Sequence, residues 1–381
     1  SDVYKRQAKY QGQDVKMVEL ESVFKNQPTK VTFTKSDITT GVELSGATLT
    51  VLDKDGNVVD TWKSVKGEEH LIERLTAGET YTLREEMAPY GYLMAEEVSF
   101  TVDDTAEIQK VEMKDAVPTG TLIINKKGEF LEKISALDSI GGWMKHLFEY
   151  LSGSLKDVTF EVYALEDIKA ADGESEDYYK KDALVATVTT DADGYATVKN
   201  LPLGRYYVKE KNAPDTYVLN TVSENVEFAY ADQNTAVVKK EISVTDERQK
   251  VSITVEKQDQ ETGKTVAGAV FGIYNSKDIK SADGKLLVKA DTLLQKMTSD
   301  EEGQAVCTLD LPLGSYYVKE LEAPDGYVSS HELLTFDASY QGQDVKTVKL
   351  KTVKKNQPTT VEITKSDVTT GVELDGAYLK V

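Results

Sequence analysis

Three sets of polar side chains recur in the same order along this 381-residue chain: Lys35, Glu85 and Asp115; Lys126, Glu210 and Asp246; Lys257, Glu320 and Asn356. Each member sits in apolar, strand-like sequence. Alternate side chains of a strand share a face, so Val31 and Phe33 point the same way as Lys35, Tyr81 and Leu83 lead to Glu85, and Val111 and Met113 lead to Asp115. The second set repeats the register with Leu122, Ile124 and Lys126, then Tyr206, Val208 and Glu210, then Ile242, Val244 and Asp246. In the third, Ile253 and Val255 precede Lys257, and Tyr316 and Val318 precede Glu320. Asn356 departs from the pattern, since Thr352 and Lys354 share its face, and a bulge is the expected means of restoring an apolar register.

Burying a lone ammonium or carboxylate costs several kcal/mol even after relaxation, and an ion pair often fails to recover it. Burial also drives a lysine toward its neutral amine and a carboxylate toward its neutral acid. A neutral amine beside an Asp or Asn carbonyl is a nucleophile beside an electrophile. An adjacent protonated Glu can polarise that carbonyl and relay protons as nitrogen attacks. The product is a side-chain amide with no charge left to bury. Lys35 with Asp115 and Lys126 with Asp246 would expel water, and Lys257 with Asn356 would expel ammonia. Each reaction happens once per molecule, so the chain is expected to be self-processing and not a turnover enzyme. Closing loops of this length is worth roughly 4 to 5 kcal/mol in unfolded-state entropy. Under end-to-end load, force would enter one bridged strand and leave by the other, bypassing the strands between.

The elements that must hold these groups are repeated modules. Y-T-L-R-E-E-M-A-P-Y-G-Y at 81–92 returns as Y-Y-V-K-E-K-N-A-P-D-T-Y at 206–217 and Y-Y-V-K-E-L-E-A-P-D-G-Y at 316–327. Stretches opening Gly-x-Ala and closing Leu-Pro-Leu-Gly, at 194–204 and 303–314, mark a strand and a tight turn. The ends also repeat: Y-Q-G-Q-D-V-K at 10–16 recurs at 340–346, and K-S-D-I-T-T-G-V-E-L at 35–44 recurs as K-S-D-V-T-T-G-V-E-L at 365–374. The expected organisation is the final strand of a preceding module over 1–28, complete modules over 29–117, 118–248 and 249–358, and the opening strands of a further module over 359–381. Asn26 and Lys365 then fall at acceptor and nucleophile positions without partners and are expected to stay unmodified.

Strand-rich composition, with proline confined to turns and junctions, predicts all-β tandem β-sandwiches. A formal charge of −20 excludes nucleic acid and anionic membrane as natural partners and suits a soluble, self-repelling rod. The single cysteine, Cys307, has no internal disulfide partner and reads as core filler. One insertion, over 129–155 in the second module, is predicted to be helical: Ile134, Leu137 and Ile140 fit one short face, Gly141-Gly142 breaks it, and Trp143, Leu147, Tyr150 and Leu151 fit a second. These helices are expected to cover an open face of the sandwich, or else to meet a ligand or neighbouring subunit. D-K-D-G-N at 53–57 lacks the closing glutamate of a calcium loop and reads as a hairpin turn. The three histidines are too scattered for a metal site, and no cofactor is expected.

K-S-D-I-T-T-G-V-E-L-S-G-A from Lys35, K-Q-D-Q-E-T-G-K-T-V-A-G-A-V-F from Lys257, L-P-L-G-x-Y-Y-V-K-E ending at Glu210 and Glu320, and A-P-D-G-Y from Ala323 together carry a family resemblance. From about residue 8 onward the chain resembles the Cna B-type, or SpaA-like, domains of Gram-positive bacterial surface adhesins and pilins. The resemblance implies a transthyretin-like β-sandwich, spontaneous Lys to Asp or Asn isopeptide bonds assisted by Glu, and service as a stalk or backbone on the cell wall. Carried onto this sequence, Lys35, Lys126 and Lys257 match the nucleophile, Glu85, Glu210 and Glu320 the assistant, and Asp115, Asp246 and Asn356 the acceptor. The second module departs from the Lys-x-Asp opening with Lys126-Lys127-Gly128, which leaves Lys127 as an alternative nucleophile, and strand facing favours Lys126. Expected partners are neighbouring modules, other pilin subunits, and, in the alternative role of a ligand-binding adhesin module, a host protein or glycan.

Overall fold

The structure, a computed structural model, describes residues 13–14, 16–17, 25–138, 144–378 and 380. The chain divides into two compact units, one comprising Ser1–Thr119 with Lys169–Tyr178 and Ala229–Val238, the other Gly120–Ile168, Tyr179–Phe228 and Lys239–Val381. The first unit holds one β-sandwich and the second holds two.

All three sandwiches follow one plan, which the alternation of apolar residues dictates. A sheet of three strands, joined in module two by a fourth that pairs with the far part of the lysine strand, carries the lysine on its middle strand. In the first module this lysine strand, Lys30–Asp37, lies between His70–Glu73 and the acceptor strand Ile108–Asp115. In the second, Thr119–Asp138 lies between Tyr195–Leu201 and Val237–Asp246, and in the third, Lys250–Asp259 lies between Gln304–Val306 and Thr347–Asn356. The facing four-stranded sheet carries the glutamate on an inner strand: Thr80–Met87, Gly204–Asn212 or Gly314–Glu322. In modules one and three the lysine and acceptor strands run parallel.

The core of module one is built from its own residues, among them Val31, Phe33, Leu49, Val51, Leu83 and Met113. Leu122, Ile124, Phe160, Val162, Tyr206 and Val208 are the buried counterparts in module two. Cys307 is buried in the third core, where burial pushes its thiol up to about 11. D-K-D-G-N is a hairpin turn, with Asp53 accepting the backbone N–H groups of Asp55 and Asn57.

The insertion in module two is not helical, and no helix occurs among the described residues. The lysine strand runs on past Lys126 to Asp138 and folds back as Met144–Ser154 in an antiparallel hairpin with one register shift near Glu132. Side chains along the return strand alternate with period two: His146 and Phe148 are buried, whereas Leu147 and Leu151 are exposed. Leu147, Tyr150 and Leu151 satisfy a helical spacing as well, because short apolar runs do not separate the two periods. Pairing with a strand already extended from the sandwich, and burial of one face of the return strand, decide for β. Ile140, Gly141, Gly142 and Trp143 lie outside the described residues. The bulge expected before Asn356 is also absent, since Thr347–Asn356 pairs with Lys250–Asp259 in unbroken register.

The Gly-x-Ala motif has a steric origin. Gly303 adopts φ +74°, and a Cβ there would lie 2.8 Å from the carbonyl oxygen of Lys257, whose N–H donates to the Gly303 carbonyl. Gly194 stands in the same relation to Lys126, at 2.6 Å. Gly284 has φ +85° with open space around it. Gly284→Ala is therefore expected to cost about 1–2 kcal/mol from left-handed strain alone, and Gly303→Ala a further ~1–3 kcal/mol from displacing the lysine strand. Denaturant midpoints of the two variants check this, and equal losses would contradict it.

Candidate functional site

In module one, Lys35 and Asp115 come from adjacent parallel strands. Lys35 lies opposite Met113 and Asp37 opposite Asp115, so the acceptor is one same-face step beyond the lysine's own partner. Lys35 Nζ donates to Asp115 Oδ1 and lies 2.9 Å from Glu85 Oε1, with all three side chains wholly inaccessible to solvent. Glu85 is anchored from behind, its Oε2 accepting the Ala95 N–H at 2.7 Å. Asp115 Oδ2 and Glu85 Oε1 have no hydrogen-bond partner, the latter standing at ion-pair distance from Lys35 without hydrogen-bond alignment. Burial pushes Asp115 up to about 7 against the downward pull of Lys35, with the Glu85 charge adding to the rise.

Module two reproduces the cluster. Lys126 Nζ donates to Glu210 Oε2 at 2.6 Å and to Asp246 Oδ1, again with essentially no solvent access. The amine lies 5.7 Å from the centroid of the Phe160 ring. Burial pushes Glu210 up to about 8 and raises Asp246 as well, against the hydrogen bonds and charge of Lys126. Lys126 is buried, whereas Lys127 is partly exposed.

Module three brings its residues together differently. Asn356 Nδ2 donates to both oxygens of Glu320 at 2.8 Å, and Glu320 Oε2 also accepts the Ser330 N–H. Asn356 Oδ1 has no partner. Lys257 is fully buried, donates to the Gln258 carbonyl at 3.2 Å, and lies 5.5 Å from the centroid of the Tyr327 ring. Among the described residues no hydrogen bond joins it to Asn356. Burial lowers its pKa against the pull of Glu320, and the nearby Lys354 lowers it further. Lys354 occupies the position opposite Lys257, which Met113 holds opposite Lys35. Its side chain is itself buried, and its Nζ reaches Glu332 Oε2 at 2.7 Å.

A second set of residues was not singled out by the sequence reading. Tyr92, the closing tyrosine of A-P-Y-G-Y, donates from its hydroxyl to Asp37 Oδ2 at 2.9 Å, and Tyr327 does the same to Asp259. The other oxygen of Asp37 accepts the N–H groups of Thr39 and Thr40, and that of Asp259 accepts those of Glu261 and Thr262. The aspartate of Lys-x-Asp thus closes the loop after the lysine strand and ties it to the A-P-x-G-Y loop. The signal was present in the sequence: the second module lacks both the aspartate and the glycine, and there Tyr217 donates to the Glu129 carbonyl instead.

No group of three or more potential metal-ligating side chains occurs among the described residues. In modules one and two a buried amine meets two buried acids directly, and in module three a buried amide meets its acid while the buried amine is hydrogen-bonded to a backbone carbonyl. A family model described as the SpaA prealbumin-like fold domain matches residues 29–117, 151–244 and 251–354, and the chain belongs to that family. No curated protein matches it. Among solved structures, the Bacillus anthracis TIE protein is similar over 87% of this chain at 24% identity and a TM-score of 0.54, and this chain spans about half, 51%, of its length. BcpA, the major pilin subunit of Bacillus cereus, is 16% identical over 87% of this chain and 100% of its own, with a TM-score of 0.32. A streptococcal ancillary pilin is 18% identical over 87% of this chain and 99% of its own, with a TM-score of 0.28. The first likeness shows the fold, and the lower scores of the other two add nothing to it.

Tyr92 and Asp37 are both almost wholly buried, so Tyr92→Phe removes a hydrogen bond to a charged acceptor that water cannot replace. Module one is expected to lose about 1–3 kcal/mol, measured by equilibrium denaturation. Unchanged stability would show that the loop lock contributes nothing.

Proposed function

We propose that the chain is a stretch of a cell-wall-anchored surface stalk or pilus backbone whose modules rigidify themselves by autocatalytic isopeptide bonds: Lys35 to Asp115, Lys126 to Asp246, and Lys257 to Asn356. The observation that carries this reading is the direct Lys35–Asp115 contact beside Glu85, solvent-free and repeated at Lys126, Asp246 and Glu210. A charged triad in such surroundings is expensive to keep, and condensation removes it. Membership of the SpaA prealbumin-like family supports an extracellular setting with pilin subunits or neighbouring modules as partners.

In the Asp sites, the neutral lysine amine attacks the acceptor carbonyl carbon, forming the C–N bond. The assisting glutamic acid donates to the carbonyl oxygen, takes up the proton leaving nitrogen, and returns protons to the departing oxygen, which leaves as water. At Asn356 the C–N bond of the side-chain amide breaks instead and the nitrogen leaves as ammonia. Burial, with Lys354 adding to it from the opposite position, lowers the Lys257 pKa and so favours the neutral amine that attack requires.

Intact mass is expected to fall below the sequence sum by two waters and one ammonia without any added factor. Glu85→Ala is expected to abolish one water loss, with module one still folded. An intact mass equal to the unmodified sum would sink the reading.

A further inference from the structure

Among the described residues, the core of module one draws only on its own sandwich. That of module three does not: Phe148, from the return strand of the module-two hairpin, is 6% exposed and belongs to the same buried cluster as Ile253, Phe271, Leu294 and Val318. Leu131, Ile134 and Tyr150 of the hairpin pack against that cluster. Polar contacts fix the seating. A ring nitrogen of the buried His146 lies 3.2 Å from the Leu294 carbonyl, the Tyr150 hydroxyl donates to the Asp310 carbonyl at 2.9 Å, and the Ala282 N–H donates to the Leu131 carbonyl. The junction residue Arg248 stacks on Tyr150 at 3.7 Å and donates to the Leu311 carbonyl. Leu293–Thr298, the strand that receives His146, is the edge of its sheet, the place where a sandwich is most easily opened.

We propose that this hairpin is a transferred part of module three's core, and that module three reaches its folded, bond-competent state only with Phe148 seated. A covering hairpin that served module two alone would bury its apolar face against module two. Here the inward side chains of its return strand go to the next module, so folding of module two presents the piece that module three lacks. The inference concerns folding, and its bond-forming half rests on the isopeptide reading above.

The test compares the parent chain with Phe148→Ser, Phe148→Leu, and a variant in which residues 130–151 are replaced by an Asn-Gly turn, all read by hydrogen exchange of individual strands and by peptide mapping. In Phe148→Ser, exchange in Val270–Asn275 and Gly314–Glu322 is expected to accelerate by roughly tenfold to a thousandfold, with Lys30–Asp37 of module one unchanged. The Lys257–Asn356 branched peptide should decline with it, and Phe148→Leu should restore most of both. The turn variant should lose protection in module three while Gly204–Asn212 of module two keeps it. Parental protection of module three in Phe148→Ser, or equal loss in modules two and three in the turn variant, would overturn the proposal. If the parent itself lacks the branched peptide, the isopeptide reading fails at Lys257, and the exchange data still decide the role of the hairpin.

Discussion

The constraint on which the rest depends is desolvation. Each sandwich removes a lysine amine from water together with a carboxyl or amide partner, and the cost is offset by the groups of the cluster and by the few backbone groups that reach them, such as the Ala95 N–H at Glu85 and the Gln258 carbonyl at Lys257. Placing the lysine on the middle strand of one sheet and the glutamate on an inner strand of the other puts both ends of the problem at the greatest depth available. The glycines at 194 and 303 let a turn close directly against the lysine's own carbonyl, and the Asp37–Tyr92 and Asp259–Tyr327 bonds hold the loop that follows. In modules one and two backbone geometry therefore brings the lysine amine into direct contact with both acids, which is the condition under which proximity is most effective.

Facing was legible in the sequence because it follows from a period of two that even a single strand displays. Val31, Phe33 and Lys35 needed no tertiary information to be placed on one side. Two features were not legible. In the hairpin, Leu147, Tyr150 and Leu151 fit a turn of helix as readily as a strand, and what separates these alternatives is burial of Phe148 and His146 by a distant part of the chain. At Lys354 the sequence suggested that so polar a residue could not face inward, so a bulge was expected. The register is instead continuous, and the ammonium is accommodated because Glu332, at the rim, meets it. The partnership of Tyr92 with Asp37 lay between, visible as two motifs that appear and disappear together but not as a bond.

Module three shows how one site can be retuned without changing its plan. Where module one has Met113, module three has a second buried lysine, and its acceptor is an uncharged amide. With an aspartate acceptor, the cluster contains two acids and one base. With an asparagine, only one acid remains, and the neighbouring Lys354 adds to burial in lowering the Lys257 pKa. The two solutions fit the same fold because the difference lies in side chains at two positions of a single strand.

In modules one and three the first and last strands lie side by side and point the same way, so the chain enters at one end of the sandwich and leaves at the other. With lysine joined to acceptor, the continuous covalent path through a module skips everything between them. Residues 36–114, 127–245 and 258–355 then become a side branch, closed on itself. If the proposed bonds form, a protease that cut an exposed turn there, such as residues 54–57, would sever the polypeptide and leave both new ends attached. Such a module would wear without parting.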